Sequence, residues 1–174
     1  MGSLGEATVS PTDSSRAGPS SPSASDRSTT RLKVGLSEAA VADDGEVLVT
    51  SGLGSCLGVA LRDPDSGVGG LLHAMLPIAD GRPGVPEKFV VDGVDATIDA
   101  MAEAGAAPGA VRAKIAGAAE MIEFNAGGGD GSVGERNVAA AEAILSKRGV
   151  SVDGADTGGD RGRSLRFDTA TGAL

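Results

Sequence analysis

The sequence predicts an α+β fold, a single-domain sandwich of largely antiparallel β-sheet with helices packed on it. Three observations carry that expectation. Short apolar runs outnumber helical patterns, the turn signals between them have hairpin length, and only two segments read clearly as helices. With 174 residues and 40% apolar content, the chain can bury one sizeable core, and its length favours one domain.

Residues 1–30, "MGSLGEATVSPTDSSRAGPSSPSASDRSTT", are rich in Ser, Thr, Pro and Gly and hold almost no large apolar side chains. Burial there cannot offset the entropy of ordering the chain, so a disordered tail is expected, followed by a domain over residues 31–174. From Arg31, "RLKVGLSEAAVADDGEVLVTSG" switches to short apolar runs with "DDG" as a turn, predicting two strands that end near Thr50. "CLGVALRD" and "VGGLLHAML" flank "PDSG", a connection that commonly closes a hairpin.

If Asp63 faces Val68 at the base of that turn, Gly58 faces His73, and Cys56 falls on the same sheet face, diagonal to His73. Diagonal neighbours have Cα atoms roughly 7–8 Å apart, within reach of a thiol and an imidazole. A slip of one residue would put them on opposite faces.

Farther on, Phe89, Val90, Val94, Ile98 and Met101 recur at helical spacing, with Pro86 near the start and Gly105 as a stop. Val111 to Ala118 is β-compatible. "GERNVAAAEAILSKRG" reads as a helix by its alanines, by Val138, Ile144 and Leu145, and by the basic last turn before Gly149. The end, from Val150, predicts a short strand and then a glycine-turned hairpin.

Composition excludes several functions. The net charge of -9 repels phosphate backbones, and 2% aromatics with no Trp or Tyr leave no stacking platform, so nucleic acid is not an expected partner. Lysine stands only at Lys33, Lys88, Lys114 and Lys147; with abundant Asp, this fits a high-salt cytoplasm, where screening shortens acidic self-repulsion. One cysteine and one histidine fall short of the usual zinc constellations, so neither metal nor cofactor is expected. No basic flank leads into an apolar run at the N-terminus, and no stretch reaches the roughly 18 apolar residues of a span. A soluble, cytoplasmic protein without membrane insertion is expected.

Two readings stand for the lone Cys56 and the lone His73. Free cysteine behaves as a small buried hydrophobe, and His73 in an apolar strand can be a core residue. Against this, Gly52 and Gly54 around the thiol permit tight turns and close approach of a substrate, and a neighbouring imidazole can draw a thiol pKa down to ~3.5–7.5. Thr50, at the end of the preceding strand, could accept the imidazole N–H and fix its tautomer, or be present only as a β-branched strand residue. A rival motif is "GDGSVG", Gly129 to Gly134, which matches a dinucleotide fingerprint with Asp153 downstream. The chain after Asp153 is too short to continue a doubly wound sheet.

"TSGLGSC" from Thr50, "GGLLHAMLP" from Gly69, "GERNV" from Gly134 and the closing "DTGGDRGRSLRFDTATG" together resemble the chemoreceptor glutamine deamidase family, CheD, over residues 32–174. The resemblance implies a cysteine hydrolase with a papain-like Cys, His, Thr triad on an α+β sandwich also seen in deamidating bacterial toxins. Cys56 would be the nucleophile, His73 the base and Thr50 its orienting partner, with backbone N–H groups of Ser55 and Cys56 around the oxyanion. It also implies methyl-accepting chemotaxis receptors as substrates and docking to a CheC-type phosphatase. The alternatives are an interaction module of the same fold and, behind it, a dinucleotide-binding protein.

Overall fold

The structure is a computed structural model that describes residues 30–43, 45–120 and 131–174. The expected tail, apart from Thr30, lies outside the described residues, as do Gly129 and Asp130 of the glycine motif. In chain order the elements are β1 (Arg31–Lys33), β2 (Glu38–Ala42), β3 (Val47–Leu53), β4 (Leu57–Arg62), β5 (Gly69–Ala74), α1 (Val90–Glu103), β6 (Arg112–Gly117), α2 (Val133–Lys147), β7 (Ser151–Thr157) and β8 (Arg163–Asp168). The strands form a three-stranded sheet, β1-β3-β8, and a five-stranded sheet, β2-β5-β4-β6-β7. Antiparallel pairings predominate, with only β1–β3 and β6–β7 parallel. This is the expected α+β architecture.

Alternation along β4 and β5 sets the layers. Leu57, Val59, Leu61, Leu72 and Ala74 pack with Val90, Val94, Ile98, Met101, Ala141 and Leu145 of the two helices. The intervening Ala60 and Leu71 pack instead with Leu48 and Phe167 of the three-stranded sheet. Side chains of period two thus serve two cores, which is why both strands read as nearly continuous apolar runs. Gly58 lies on the inter-sheet side, where a Cβ would stand 2.5 Å from Leu165 Cδ1 and 3.1 Å from Leu53 Cδ1.

The β4–β5 hairpin has the predicted register: Gly58 pairs with His73, and Asp63 N–H donates to Val68 O at 2.9 Å. Asp63 is buried, and its carboxylate accepts N–H bonds from Asp65 at 2.9 Å and Ala107 at 2.8 Å. Burial pushes its pKa up, but these bonds outweigh it and hold the group below the usual carboxylate range. The turn is thereby tied to the segment after α1.

Two expectations need correction. Residues 31–50 hold three strands, and "DDG" leads from β2 in one sheet to β3 in the other; it does not close a hairpin. Likewise β7 and β8 are not a hairpin: between them Gly158 and Gly159 take φ of +78° and +75° and pass the chain to the other sheet. Alternation tells which face a side chain occupies, and leaves the strand's partner open.

Helix α1 buries its predicted stripe, Val90, Val94, Ile98 and Met101, and ends before Gly105 at φ +105°. Helix α2 begins with a capping box, Ser132 accepting from Glu135 N–H while the Glu135 side chain accepts from Ser132 N–H. No helix among the described residues is long and apolar enough to cross a membrane. Gly134, in the first turn of α2, lies against the end of β6: a Cβ there would stand 2.5 Å from Ala118 O and 2.8 Å from its carbonyl carbon.

Glycine to alanine inside a helix ordinarily adds up to about 1 kcal/mol. At Gly134 the clash is with backbone, and overpacking of this kind costs about 1–3 kcal/mol. Gly134→Ala is therefore expected to lower the urea midpoint despite the better helix former; a raised midpoint would show that α2 shifts freely from β6.

Candidate active site

The two sheets each contribute one member of a buried polar pair. Thr50 on β3 and His73 on β5 are 3% and 2% exposed, and Thr50 Oγ1 lies 2.8 Å from His73 Nδ1. The register that puts His73 opposite Gly58 turns its ring toward the three-stranded sheet. Thr50 is in mid-strand and not at its end as expected, because β3 runs on to Leu53 past an irregularity where Gly52 takes φ +78°.

Nδ1 is thus engaged, while His73 Nε2 is buried and has no hydrogen-bond partner among the described residues. Burial lowers the pKa of the ring, which keeps the imidazole neutral at neutral pH. A neutral ring anchored at one nitrogen and unengaged at the other has the form of a general base.

Cys56 ends the bend that joins β3 to β4, one residue outside the ladder, whose last pair is Leu57 with Ala74. It is half-buried. Burial raises the thiol pKa, and its own backbone N–H lowers it by less. The expectation that the imidazole draws this pKa down does not hold here: burial moves it the other way, and no hydrogen bond joins the thiol to His73. Desolvation dominates, so the resting pair is a neutral thiol beside a neutral imidazole.

The bend itself is firmly held through its carbonyls. Gly54 O accepts from Ala119 N–H at 2.8 Å and Cys56 O from Ala118 N–H at 2.7 Å. Ser55 O accepts from the Asn137 side chain at 2.9 Å, and the same amide donates to Met75 O at 3.1 Å. Gly117 takes φ +113°, and a Cβ there would stand 2.5 Å from Cys56 O, so β6 can close on the bend only through a glycine. Arg163 braces the same corner, with a bidentate pair to Asp156 at 2.9 and 3.0 Å and a 2.9 Å bond to Gly158 O.

Sequence reasoning assigned no role to Asn137, Gly117 or Arg163. Two of them stand in segments singled out on other grounds, "GERNV" and "GGDRGRSLRF". The available signal was a polar Asn137 on the stripe where α2 presents Gly134, Ala141 and Leu145 to the core.

The described part of the glycine motif, Gly131 to Gly134, leads into and opens α2. Segments β6, α2 and β7 do form a parallel β-α-β unit, but Asp153 pairs with Arg112 at 3.5 Å, at the start of the strands. The glycine turn follows their other end, so Asp153 cannot meet a ribose held there. A cavity of about 280 Å³ lies at the Asp153 end, away from the glycine turn, lined by Arg62, Arg112 and Lys114. Its Arg62 and Lys114 are engaged by the carbonyls of Thr169, Ala170 and Gly172.

Residues 75–174 match the family model described as CheD chemotactic sensory transduction. The chain is 48% identical over 145 residues to a probable chemoreceptor glutamine deamidase CheD of Natronomonas pharaonis, covering 82% of this chain and 84% of that protein. It is 46% identical to one from Geobacter metallireducens, covering 82% and 90%, and 46% identical to one from Haloarcula marismortui, covering 82% of each. Among solved structures, a Neisseria meningitidis protein of family DUF152 superposes with a TM-score of 0.48 at 16% identity, over 76% of this chain and 64% of that one.

The neutral resting pair has a measurable consequence. The rate of Cys56 alkylation by iodoacetamide should climb steadily through the ordinary thiol range as pH rises. A plateau already reached within ~3.5–7.5, the range of activated cysteines, would instead reveal a preformed thiolate and imidazolium.

Proposed function

Because the chain belongs to the CheD family, we propose that it is an enzyme, a protein-glutamine deamidase that converts glutamine side chains of chemoreceptors to glutamate and releases ammonia. The observation that carries this reading is the buried Thr50–His73 pair, which leaves Nε2 unengaged in the strand beside Cys56. The relatives' names supply the substrate class, and the 31–174 segment is the catalytic domain.

In this mechanism Thr50 Oγ1 accepts a hydrogen bond from Nδ1–H and so keeps the lone pair on Nε2. As substrate enters, Nε2 takes the Cys56 thiol proton while the sulfur attacks the carboxamide carbon, forming the C–S bond and an oxyanion. The N–H groups of Ser55 and Cys56 receive that charge. The imidazolium returns its proton to the departing nitrogen, which leaves as ammonia and yields a thioester. Nε2 then deprotonates a water that attacks the acyl carbon; the C–S bond breaks, glutamate leaves, and the imidazolium returns its proton to the Cys56 thiolate. Water is the only co-reactant, so the cycle calls on no cofactor or metal.

Each turnover adds a negative charge to a receptor helix. A free nucleophilic thiol favours a reducing cytoplasm, and the acidic composition suits high salt. A CheC-type phosphatase is proposed as the partner that regulates the enzyme, docking over the Gly54–Cys56 bend and competing with receptor.

Incubated with a receptor's cytoplasmic region, the protein should add about one mass unit for each glutamine modified, since an amide becomes an acid. Cys56→Ala should add none while still binding receptor; a mass gain undiminished in Cys56→Ala would end the cysteine-hydrolase reading. Loss of the base in His73→Ala should lower turnover by roughly 10²–10⁴-fold. Thr50→Ala, which only frees the ring to turn, should fall by less, and equal small effects in both would remove the pair from the mechanism.

A further inference from the structure

We propose that Asn137 is the positioning residue of this site: its side-chain amide holds the Ser55 carbonyl so that the Cys56 N–H points away from α2, toward the substrate, and it ties that peptide to the chain that follows His73. The inference rests on the deamidase reading and adds to it a residue outside the triad.

Asn137 is fully buried, in the second turn of α2. The rest of the face it shares is Gly134, Ala141, Ile144 and Leu145, so an apolar side chain is the ordinary occupant of this position. The identity of the donor is secure, because both partners, Ser55 O and Met75 O, are carbonyl oxygens and only the NH₂ of the amide can satisfy them. Its Oδ1 is buried and has no partner among the described residues. A side chain that merely filled space would avoid that cost.

Peptide geometry turns this anchoring into chemistry. All peptide bonds in the described residues are trans, so the N–H of Cys56 points away from the Ser55 carbonyl that Asn137 holds inward. Ala119, holding Gly54 O, imposes the same sense on the Ser55 N–H. On this proposal the two N–H groups face the place where charge develops on the attacked carbonyl oxygen, and they need no reorganisation during reaction. The second bond, to Met75 O, reaches the chain two residues after His73, so one amide spans nucleophile and base.

The test separates attack on a carbonyl from simple reactivity of the thiol. Alkylation by iodoacetamide displaces iodide and builds no oxyanion, whereas deamidation requires one. In Asn137→Ala, ammonia release from receptor should fall roughly 10–100-fold in kcat, somewhat less than the ~10²–10³ lost when an oxyanion donor itself is removed. KM and the iodoacetamide rate should stay within about threefold, since neither substrate binding nor the thiol is altered. Asn137→Asp retains the volume but replaces the donor with an acceptor, and it should be at least as impaired as Asn137→Ala.

Activity in Asn137→Asp well above that of Asn137→Ala would mean that shape matters and donation does not, overturning the proposal. So would parallel loss of alkylation and deamidation, or unfolding of both variants, since Asn137 would then be a structural tie. Normal ammonia release by Asn137→Ala defeats this inference alone; absence of release by the unaltered protein defeats the deamidase reading beneath it.

Discussion

The register of the β4–β5 hairpin is the constraint on which the rest of the molecule depends. Its ladder runs from Arg62 and Gly69 to Leu57 and Ala74, and both faces of both strands are buried. A slip of one residue would send the His73 ring into the helix-facing core and bring leucine opposite Thr50. Asp63 guards against that slip. It closes the turn with charge-assisted bonds to N–H groups at its tip and to Ala107 beyond α1, each of a kind worth about 1.5–3 kcal/mol. Because β2 pairs on β5 and β6 on β4, every other strand of the larger sheet takes its position from this hairpin.

The polar pair lies where two sheets face each other, and burial sets its electrostatics. Facing sheets stand about 10 Å apart, so side chains from each meet near the middle. Here a threonine and a histidine meet among Leu48, Ala60 and Leu71. Desolvation lowers the pKa of His73 and raises that of Cys56, and both shifts favour the uncharged forms. The site therefore stores no ion pair at rest. In the proposed mechanism, separation of charge is deferred until a substrate covers the bend, when N–H groups and imidazole can share it in a dry environment.

Much of this was legible in the sequence, and for identifiable reasons. The hairpin register followed from "PDSG" and the alternation on either side of it, and the helices followed from the spacing of Val94, Ile98 and Met101 and of Ile144 and Leu145. Those are local signals. The division of β2 from β3 and of β7 from β8 into different sheets was not legible, because alternation marks a buried face without naming the strand beside it. Nor was the direction of the thiol's pKa, which depends on desolvation in the assembled molecule. Asn137 escaped because its partners, Ser55 and Met75, are remote in the chain, and a helical asparagine announces no such contact.

The bend that bears Cys56 is glycine-rich and would be pliable on its own, so its order has to come from elsewhere. Ala118 and Ala119 at the end of β6 take two of its carbonyls and α2 takes the third, and the contacts that permit this are tight. Ala118 supplies the N–H for Cys56 O while its own carbonyl abuts Gly134. It does so at φ +55°, a left-handed conformation unusual for alanine; Ser37, whose N–H holds the carbonyl of His73, sits at φ +58°. Strain of this type costs about 1–3 kcal/mol at each residue and persists only where the surroundings overdetermine the backbone. Both strained residues hold a carbonyl of the residue placed as nucleophile or base. The geometry of the site is thus maintained by stability drawn from the core, through β6 and α2 on one side and the β1–β2 turn on the other.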